Sequence, residues 1–219
     1  MKIAIAGGSI SGLAAALTLN CTGHDVLVYE RSAHALRGQG GGVVVLRRML
    51  RFLENHGHYC RDMISVPTHR RRWIDVDGSV THDEPEMLPF SSWDAVSRSL
   101  CNMLPPERIR YGREVTGFDQ DEHGVDLHFD DGQTERADVL IAADGTGSRL
   151  RALLFPDYHA SFSGYIAWRA SAFHLLARVD NARCGSGWLA RIGNGRRADH
   201  PQSYCLGPGA WACTCHLPV

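Results

Sequence analysis

The first thirty residues alternate between apolar runs and a glycine-rich interruption. Residues 3–6 form a short apolar run, residues 13–22 are rich in alanine and leucine and precede Gly23, and residues 26–29 form a second apolar run before Glu30. A continuous apolar run is typical of a parallel strand buried on both faces, and glycine is a common helix C-cap. The pattern predicts a strand, a turn, a helix and a second strand, in that order.

The remaining pattern predicts a mixed α/β chain. Apolar positions with helical spacing indicate a helix over residues 92–104, with Ser92 as N-cap and with Val96, Leu100 and Leu104 on one face. A second helix is expected over residues 46–56. Strand-like segments are expected at residues 43–45, at residues 63–81 with a turn at Asp77-Gly78, and at residues 115–136 with turns at 122–124 and 130–132. Residues 138–143 are predicted to form a buried strand that ends at Asp144-Gly145.

The N-terminal segment has a second interpretation, as a targeting signal. Lys2 and the apolar residues that follow resemble the charged and apolar regions of a signal peptide. The glycines at residues 7–12 interrupt the apolar run, however, and the second strand and Glu30 have no role in such a signal. We therefore interpret the segment as part of a fold. Elsewhere the chain has no run near the roughly 20 apolar residues of a membrane helix.

The spacing of the glycines is typical of a dinucleotide-binding turn. Gly7 permits a tight turn after the first strand, and Gly12 permits the helix to pack closely on it, so that the helix N-terminus faces a pyrophosphate. Glu30 lies 18 residues beyond Gly12 and is placed to accept hydrogen bonds from a ribose. Ser9 occupies the position of the middle glycine, which is a departure from the pattern. The structural alternative is a glycine turn without a ligand.

Composition and charge exclude several classes of protein. The 219 residues are 44% hydrophobic and 21% charged, with a net charge of −1, which is ordinary for a globular chain and gives no basic surface for nucleic acid or an anionic membrane. The seven cysteines are an odd number at irregular spacing. We therefore expect free thiols in a reducing cytoplasm, and no nucleic-acid or membrane partner.

Six segments together carry a resemblance that covers about residues 1–170. They are Gly7-Gly8-Ser9-Ile10-Ser11-Gly12-Leu13, Val28-Tyr29-Glu30-Arg31-Ser32, residues 38–45, Ser92-Trp93-Asp94, residues 139–151, and Gly164-Tyr165-Ile166-Ala167-Trp168-Arg169. Their order and spacing resemble the FAD-dependent aromatic-ring monooxygenases of the para-hydroxybenzoate hydroxylase class, nearest to the dihydroxypyridine hydroxylase type. The resemblance implies an α/β fold with a Rossmann-like FAD-binding domain, an antiparallel β insertion, and the start of a β-rich substrate domain at about residues 63–90 and 160–170.

The resemblance also implies a set of cofactor-binding residues. Gly7, Ser9, Ile10, Ser11 and Gly12 would cradle the FAD pyrophosphate. Glu30 would hold the adenosine ribose, Arg31 would lie on the adenine side, and the strand at Val115 would contribute backbone near the adenine. Asp144 and Gly145 match a motif that contacts FAD and NAD(P)H. The glycine-rich segment 38–42 suggests a further backbone contact with the cofactor, the alternative being a flexible loop.

By the same resemblance, NADH or NADPH is the reductant and O₂ supplies an oxygen atom to a small aromatic or N-heteroaromatic ring. The cofactor carries the difficult chemistry. We therefore expect no catalytic acid, base or nucleophile and no metal among the residues of this chain.

Residues 171–219 match no part of the resemblance. They are rich in glycine, arginine and cysteine without clear periodicity, and we expect an irregular tail. One hypothesis is a shifted reading frame after Arg169, which translation of the DNA in the other two frames would test. A zinc cluster is the alternative for Cys184, Cys205, Cys213, Cys215 and His216, although their spacing is unlike that of structural zinc sites.

Three functional classes follow from these observations. The chain is the FAD-binding portion of a flavoprotein monooxygenase, an NAD(P)-binding Rossmann dehydrogenase, or an inactive fragment that binds nucleotide. The glycine-rich segment 38–42 and the Asp144-Gly145 turn favour the first class, because they have no role in the second. The short length weighs against turnover by this chain alone.

Overall fold

A computed structural model describes residues 1–36, 41–57, 64–75, 77–163, 165–170, 202–206 and 210–218. The four helices that it describes are α1 (Ile10–Cys21), α2 (Arg47–His56), α3 (Trp93–Met103) and α4 (Arg149–Leu154). The chain divides into two units. The first consists of Met1–Gln39, Asn55–His58 and Asp94–Ala160, and the second of Gly40–Glu54, Tyr59–Trp93 and Ser161–Val219.

The first unit contains a four-stranded parallel sheet that begins with the predicted strand, turn, helix and strand. Its strands are β1 (Lys2–Ala6), β2 (Asp25–Glu30), β7 (Ile109–Tyr111) and β11 (Val139–Ala142), in the spatial order β11-β1-β2-β7. In β1, residues 3–6 are buried, as expected for a central parallel strand. The prediction of an α/β fold with a parallel sheet is confirmed.

A three-stranded antiparallel sheet follows β7 in the same unit. It consists of β8 (Val115–Asp121), β9 (Gly124–Phe129) and β10 (Thr134–Ala137), joined at the two predicted turns. Val125, Leu127 and Phe129 alternate along β9 and are buried, and they share one apolar core with Ala4 and Tyr29 of the parallel sheet. This shared core fixes the start of β8 beside the end of β2.

The strand β11 differs from its prediction as a buried strand. Residues 139–141 are half-buried and Ala142 is exposed, because β11 is the edge of the sheet and pairs with β1 alone among the described residues. Its other side borders an open groove of about 390 Å³, whose apolar lining includes Phe118, Leu150 and Leu154. An apolar run predicts a strand, but it does not distinguish an edge strand from a central one.

The second unit is built on antiparallel strands. They are β3 (Gly42–Val44), β4 (Val66–Ile74), β5 (Val80–Pro85), β6 (Pro89–Ser92), β12 (Tyr165–Ala170), β13 (Gln202–Leu206) and β14 (Ala210–Pro218). Their order is β12-β14-β13-β4-β6-β3, and β5 pairs with β4. The unit contains residues 63–90 and 161–170, nearly all of the two segments that we assign to the start of a substrate domain, and that assignment stays a prediction.

Two segments of the expected irregular tail, β13 and β14, are strands in the structure. Strands β13 and β14 pair with each other, and they also pair with β4 and β12 respectively. Their long-range partners determine this structure, since neither segment has a clear alternation of its own. A local signal was present, because Gly207-Pro208-Gly209 is a turn sequence between two segments that contain β-forming aromatic residues. Residues 171–201 lie outside the described part of the chain, and the hypothesis of a shifted reading frame stays untested.

Two further expectations concern segments that are only partly described. Residues 37–40 of the glycine-rich segment lie outside the described residues, so its predicted contact with a cofactor stays a prediction. Cys184 also lies outside them, as do the side chains of the other four residues of the zinc alternative. Within the described residues, no helix is both long enough and apolar enough to cross a membrane.

Candidate functional site

The carboxyl ends of three parallel strands converge at one edge of the first unit. Strand β1 lies between β2 and β11, in register with both. Ligands of open α/β sheets bind in the crevice outside such strand ends. The chain segments that leave these three ends are the glycine turn after β1, Glu30 and Arg31 at the end of β2, and Asp144-Gly145 after β11.

The glycine turn is held by close backbone contacts. Gly7 has a φ of +109°, its N–H donates to Tyr29 O at 2.8 Å, and a Cβ at this position would lie 2.3 Å from Ala143 O. At Gly12, a Cβ would lie 1.9 Å from Gly7 O. No side chain fits either position, so both predicted glycines are required by the geometry of the turn. This packing places the N-terminus of α1 directly at the end of β1.

Ser9 is the N-cap residue of α1, with extended backbone angles. Its C=O accepts the Leu13 N–H at 2.9 Å, which begins the helix. The Ser9 hydroxyl forms no capping hydrogen bond with any described residue. Because a helix N-terminus presents N–H groups without partners inside the helix, Ile10 and Ser11 in its first turn are placed to donate to an anion.

Glu30 is buried at the end of β2, where it is 6% exposed. Its Oε2 accepts the Gly8 N–H at 2.7 Å, and its Oε1 accepts the Ser32 N–H at 2.9 Å. The carboxylate therefore joins the glycine turn to the segment that follows β2. Sequence reasoning predicted the position of this side chain but not these two hydrogen bonds.

Asp144 and Gly145 form the turn between β11 and α4. The Oδ2 atom of Asp144 accepts the Leu150 N–H at 3.4 Å, whereas its Oδ1 atom is buried without a hydrogen-bond partner among the described residues. Gly145 has a φ of +90°. Ser148 caps α4 by accepting the Arg151 N–H at 2.9 Å. This end of β11 thus presents a carboxylate oxygen with unused acceptor capacity.

These segments line one open groove of about 590 Å³. Seven of the ten predicted cofactor-binding residues line it, namely Gly7, Ser9, Glu30, Arg31, Val115, Asp144 and Gly145. The other three, Ile10, Ser11 and Gly12, do not line it and form the first turn of α1. The structure therefore brings residues that are more than 130 positions apart in the sequence to one groove.

The comparison with known families shows which family the chain belongs to. Residues 1–182 match the family described as FAD binding domain. The chain belongs to this FAD binding domain family. The match covers most of the chain and confirms the resemblance on which the sequence analysis relied.

Known relatives of this FAD binding domain chain include two monooxygenases that are named for nitrogen-containing ring compounds. The 2,6-dihydroxypyridine 3-monooxygenase of Paenarthrobacter nicotinovorans is 37% identical over 169 residues, which cover 77% of this chain and 42% of that protein. The 6-hydroxynicotinate 3-monooxygenase of Pseudomonas fluorescens is 30% identical over 181 residues, which cover 77% of this chain and 47% of that protein. The chain thus spans less than half the length of these two relatives.

A solved structure agrees with the sequence relatives. The structure of 2,6-dihydroxypyridine-3-hydroxylase from Arthrobacter nicotinovorans matches this chain with a TM-score of 0.79 and 30% identity. The match covers 100% of this chain and 56% of that one. The fold of the FAD binding domain chain is therefore that of a flavin-dependent hydroxylase over the part that the two share.

The groove contains residues that fit FAD. At Gly7 and Gly12 the backbone segments are too close for any side chain, and this packing holds the N-terminus of α1 at the end of β1, where its N–H groups suit a pyrophosphate. The Oδ1 atom of Asp144 is an acceptor that a hydroxyl of the cofactor can satisfy. Both observations come from the positions of this chain's own atoms.

Three further polar residues of this groove were not predicted from the sequence. Arg113, Glu114 and Arg149 also line it. The Arg113 N–H donates to Glu30 O at 3.0 Å, and the Arg113 guanidinium lies 4.0 Å from the centre of the Phe129 ring. Arg149 pairs with Glu114 at 3.5 Å. Arg113 and Glu114 directly precede Val115 in the sequence, and this position could have identified them as residues near the groove.

Tyr29 precedes Glu30 in β2 and also lines the groove. It is buried, its hydroxyl donates to Glu135 Oε2 at 2.7 Å, and its ring lies 5.0 Å from that of Phe129. Burial, together with the hydrogen bond to the Glu135 carboxylate, raises the pKa of the Tyr29 phenol above its ordinary range. Tyr29 therefore keeps its proton to a higher pH than an unperturbed tyrosine does.

Proposed function

We propose that this chain is the FAD-binding portion of a flavin-dependent monooxygenase that hydroxylates an aromatic ring, with NADH or NADPH as reductant. The observation that carries the proposal is the single groove at the carboxyl ends of β1, β2 and β11. It collects seven predicted cofactor-binding residues from four separate segments of the chain. Family membership and the identity to two ring-hydroxylating relatives support the same assignment.

Each segment has a role in holding FAD. The turn from Gly7 to Gly12, with Ser9, Ile10 and Ser11, presents N–H groups to the pyrophosphate. Glu30 accepts hydrogen bonds from the adenosine ribose, and Arg31 lies on the adenine side. Val115 contributes backbone near the adenine, and Asp144-Gly145 contacts the cofactor from the β11 side.

When bound, FAD supplies the redox chemistry that activates O₂ for transfer of one oxygen atom to the ring. This chain's residues bind and orient the cofactor. The proposed substrate class is a small, electron-rich aromatic or N-heteroaromatic compound, because the two relatives are named for dihydroxypyridine and hydroxynicotinate. The proposed substrates are thus a small ring compound and O₂, and we propose no nucleic-acid or membrane partner.

A titration with FAD tests the proposal. The purified chain is mixed with FAD and separated from free flavin, and its absorbance spectrum is recorded. We expect flavin absorbance to remain with the protein in a 1:1 ratio. Titration with NAD⁺ is the matched control, since it carries an adenosine ribose and a pyrophosphate but no isoalloxazine. Binding of NAD⁺ without binding of FAD would overturn the proposal in favour of a dehydrogenase.

Activity needs a separate measurement. The FAD-loaded chain is incubated with NADH or NADPH and with a dihydroxypyridine or a hydroxynicotinate, and oxidation of the reductant is followed at 340 nm. Oxidation that the ring compound stimulates supports the monooxygenase assignment for this chain. FAD binding without stimulation limits the chain to the cofactor-binding role.

A further inference from the structure

The hydrogen bonds of Glu30 suggest a second task for this residue. A buried carboxylate needs hydrogen-bond partners, and the identity of those partners shows which parts of the chain it can hold in place. Here each oxygen already accepts one backbone N–H, from Gly8 at 2.7 Å and from Ser32 at 2.9 Å, and the residue is 6% exposed. Hydrogen bonds from N–H groups to an ionised carboxylate are short and strong, particularly away from water.

Residue 8 is a glycine, and this agrees with a role of Glu30 in contacting the glycine turn. The dinucleotide pattern leaves this position open, between its first and middle glycines. A Cβ at Gly8 would lie 3.0 Å from the Glu30 Cβ and 3.1 Å from Glu30 Oε2. The absence of a side chain at Gly8 thus permits the Glu30 carboxylate to approach its N–H.

We propose that Glu30 is a positioning residue, which holds the glycine turn in its pyrophosphate-binding shape before the cofactor arrives. The proposal deepens the FAD-binding function and rests on it. Gly8 is followed directly by Ser9 and α1, so the carboxylate fixes the chain one residue before the N-cap. A carboxylate has about four lone-pair directions, so two N–H bonds leave capacity for a ribose hydroxyl.

Charge and positioning predict opposite effects of Glu30→Gln on the binding of inorganic pyrophosphate. Pyrophosphate has no ribose, and removal of a negative charge from the groove favours anion binding by Coulomb's law. The glutamine side chain retains one acceptor oxygen, so at least one of the two N–H bonds is lost. If Glu30 positions the turn, Glu30→Gln should bind pyrophosphate more weakly. The loss of negative charge alone would make the binding tighter.

The test uses the cofactor-free chain and two NMR measurements. The first is hydrogen exchange of the Gly8 and Ser32 amides, and the second is the shift of amide signals on titration with pyrophosphate. In Glu30→Gln we expect faster exchange of at least one of the two amides and about tenfold weaker pyrophosphate binding, the order for loss of one hydrogen bond to a charged group. Glu122→Gln is the control, because it removes a carboxylate from the turn between β8 and β9, outside this groove. It should leave amide exchange and pyrophosphate binding unchanged.

A second variant tests the same contact from the other side. Gly8→Ala retains Glu30, but the added Cβ requires the Glu30 side chain to shift by a few tenths of an ångström, so we also expect faster exchange of the Ser32 amide. If circular dichroism shows that Glu30→Gln does not fold, Gly8→Ala is used for the test instead. Unchanged exchange at both amides in a folded Glu30→Gln overturns the proposal, whatever pyrophosphate does. Failure of the wild type to bind FAD overturns the proposed function alone, because the exchange comparison needs no cofactor.

Discussion

Replacing Gly12 by alanine tests the contact between α1 and the glycine turn. The added Cβ would lie 1.9 Å from Gly7 O and 3.3 Å from the Ile5 side chain. Carbon and oxygen atoms without a bond approach to about 3.3 Å. The helix and the turn must therefore separate by roughly 1.4 Å, the difference between these two distances.

The expected loss of stability follows from the kind of atom that is displaced. Overpacking costs about 1–3 kcal/mol, and we expect the upper end because a backbone carbonyl cannot rotate away as a side chain can. Alanine in a helix gains back up to about 1 kcal/mol relative to glycine. The net loss is about 2 kcal/mol, which corresponds to a decrease in Tm of roughly 4–8 °C for a chain of this size.

The assay is thermal unfolding with and without FAD, followed by a flavin titration. Because the N-terminus of α1 moves with the helix, we expect the Kd for FAD to rise at least about tenfold, or about 1.4 kcal/mol. Gly117→Ala in β8 is the matched control, since its Cβ would meet no heavy atom closer than 3.7 Å. Its Tm should stay within about 2 °C of the wild type.

Equal Tm values for the Gly12 and Gly117 variants, together with equal affinity for FAD, would refute the reasoning. That result would mean that the helix and the turn separate at no cost. The close approach would then not define the pyrophosphate site.

Two further predictions concern side chains of the groove. Because the Tyr29 pKa is raised in the folded state by burial and by Glu135, its contribution to stability is present below the unfolded pKa of about 10 and decreases as the pH rises above it. Chemical unfolding from pH 9 to 11 should show a larger loss for the wild type than for Tyr29→Phe, and parallel losses would contradict the assignment. Ser9→Gly should bind FAD at least as tightly as the wild type, since the Ser9 hydroxyl makes no cap bond to a described residue, whereas Ser9→Val should bind more weakly. Flavin fluorescence measures both affinities, and weaker binding by Ser9→Gly would show that the hydroxyl contacts the cofactor.

Local patterns in the sequence were sufficient to predict β1, α1, β2 and the β8–β10 strands of the first unit, but not the short strand β7. The apolar run of β1, the glycines and Glu30 follow one another at the spacings of a strand, a tight turn, a helix and a second strand. Local backbone geometry is enough to predict this order of elements. The two hairpin turns at residues 122–124 and 130–132 were predicted for the same reason, since glycine is needed where the backbone has positive φ.

Features that depend on distant partners could not be predicted in the same way. The edge position of β11 depends on which strands pair beside it, and the strands β13 and β14 depend on β4 and β12. The two N–H bonds of Glu30 depend on how the glycine turn folds over the end of β2. Periodicity indicates which face of a segment is apolar, but it does not indicate what lies against that face.

The edge position of β11 has a practical consequence for work with this chain in solution. A parallel strand that is paired on one side only among the described residues leaves N–H and C=O groups that can template intermolecular strand pairing. An exposed apolar surface at the end of α4 adds to this tendency to associate. It consists of Leu153, Leu154 and Phe155, which are 57%, 50% and 61% exposed. We expect self-association that increases with protein concentration, and light scattering would detect it. Binding measurements should therefore be made at low protein concentration, where an aggregate does not compete with the ligand.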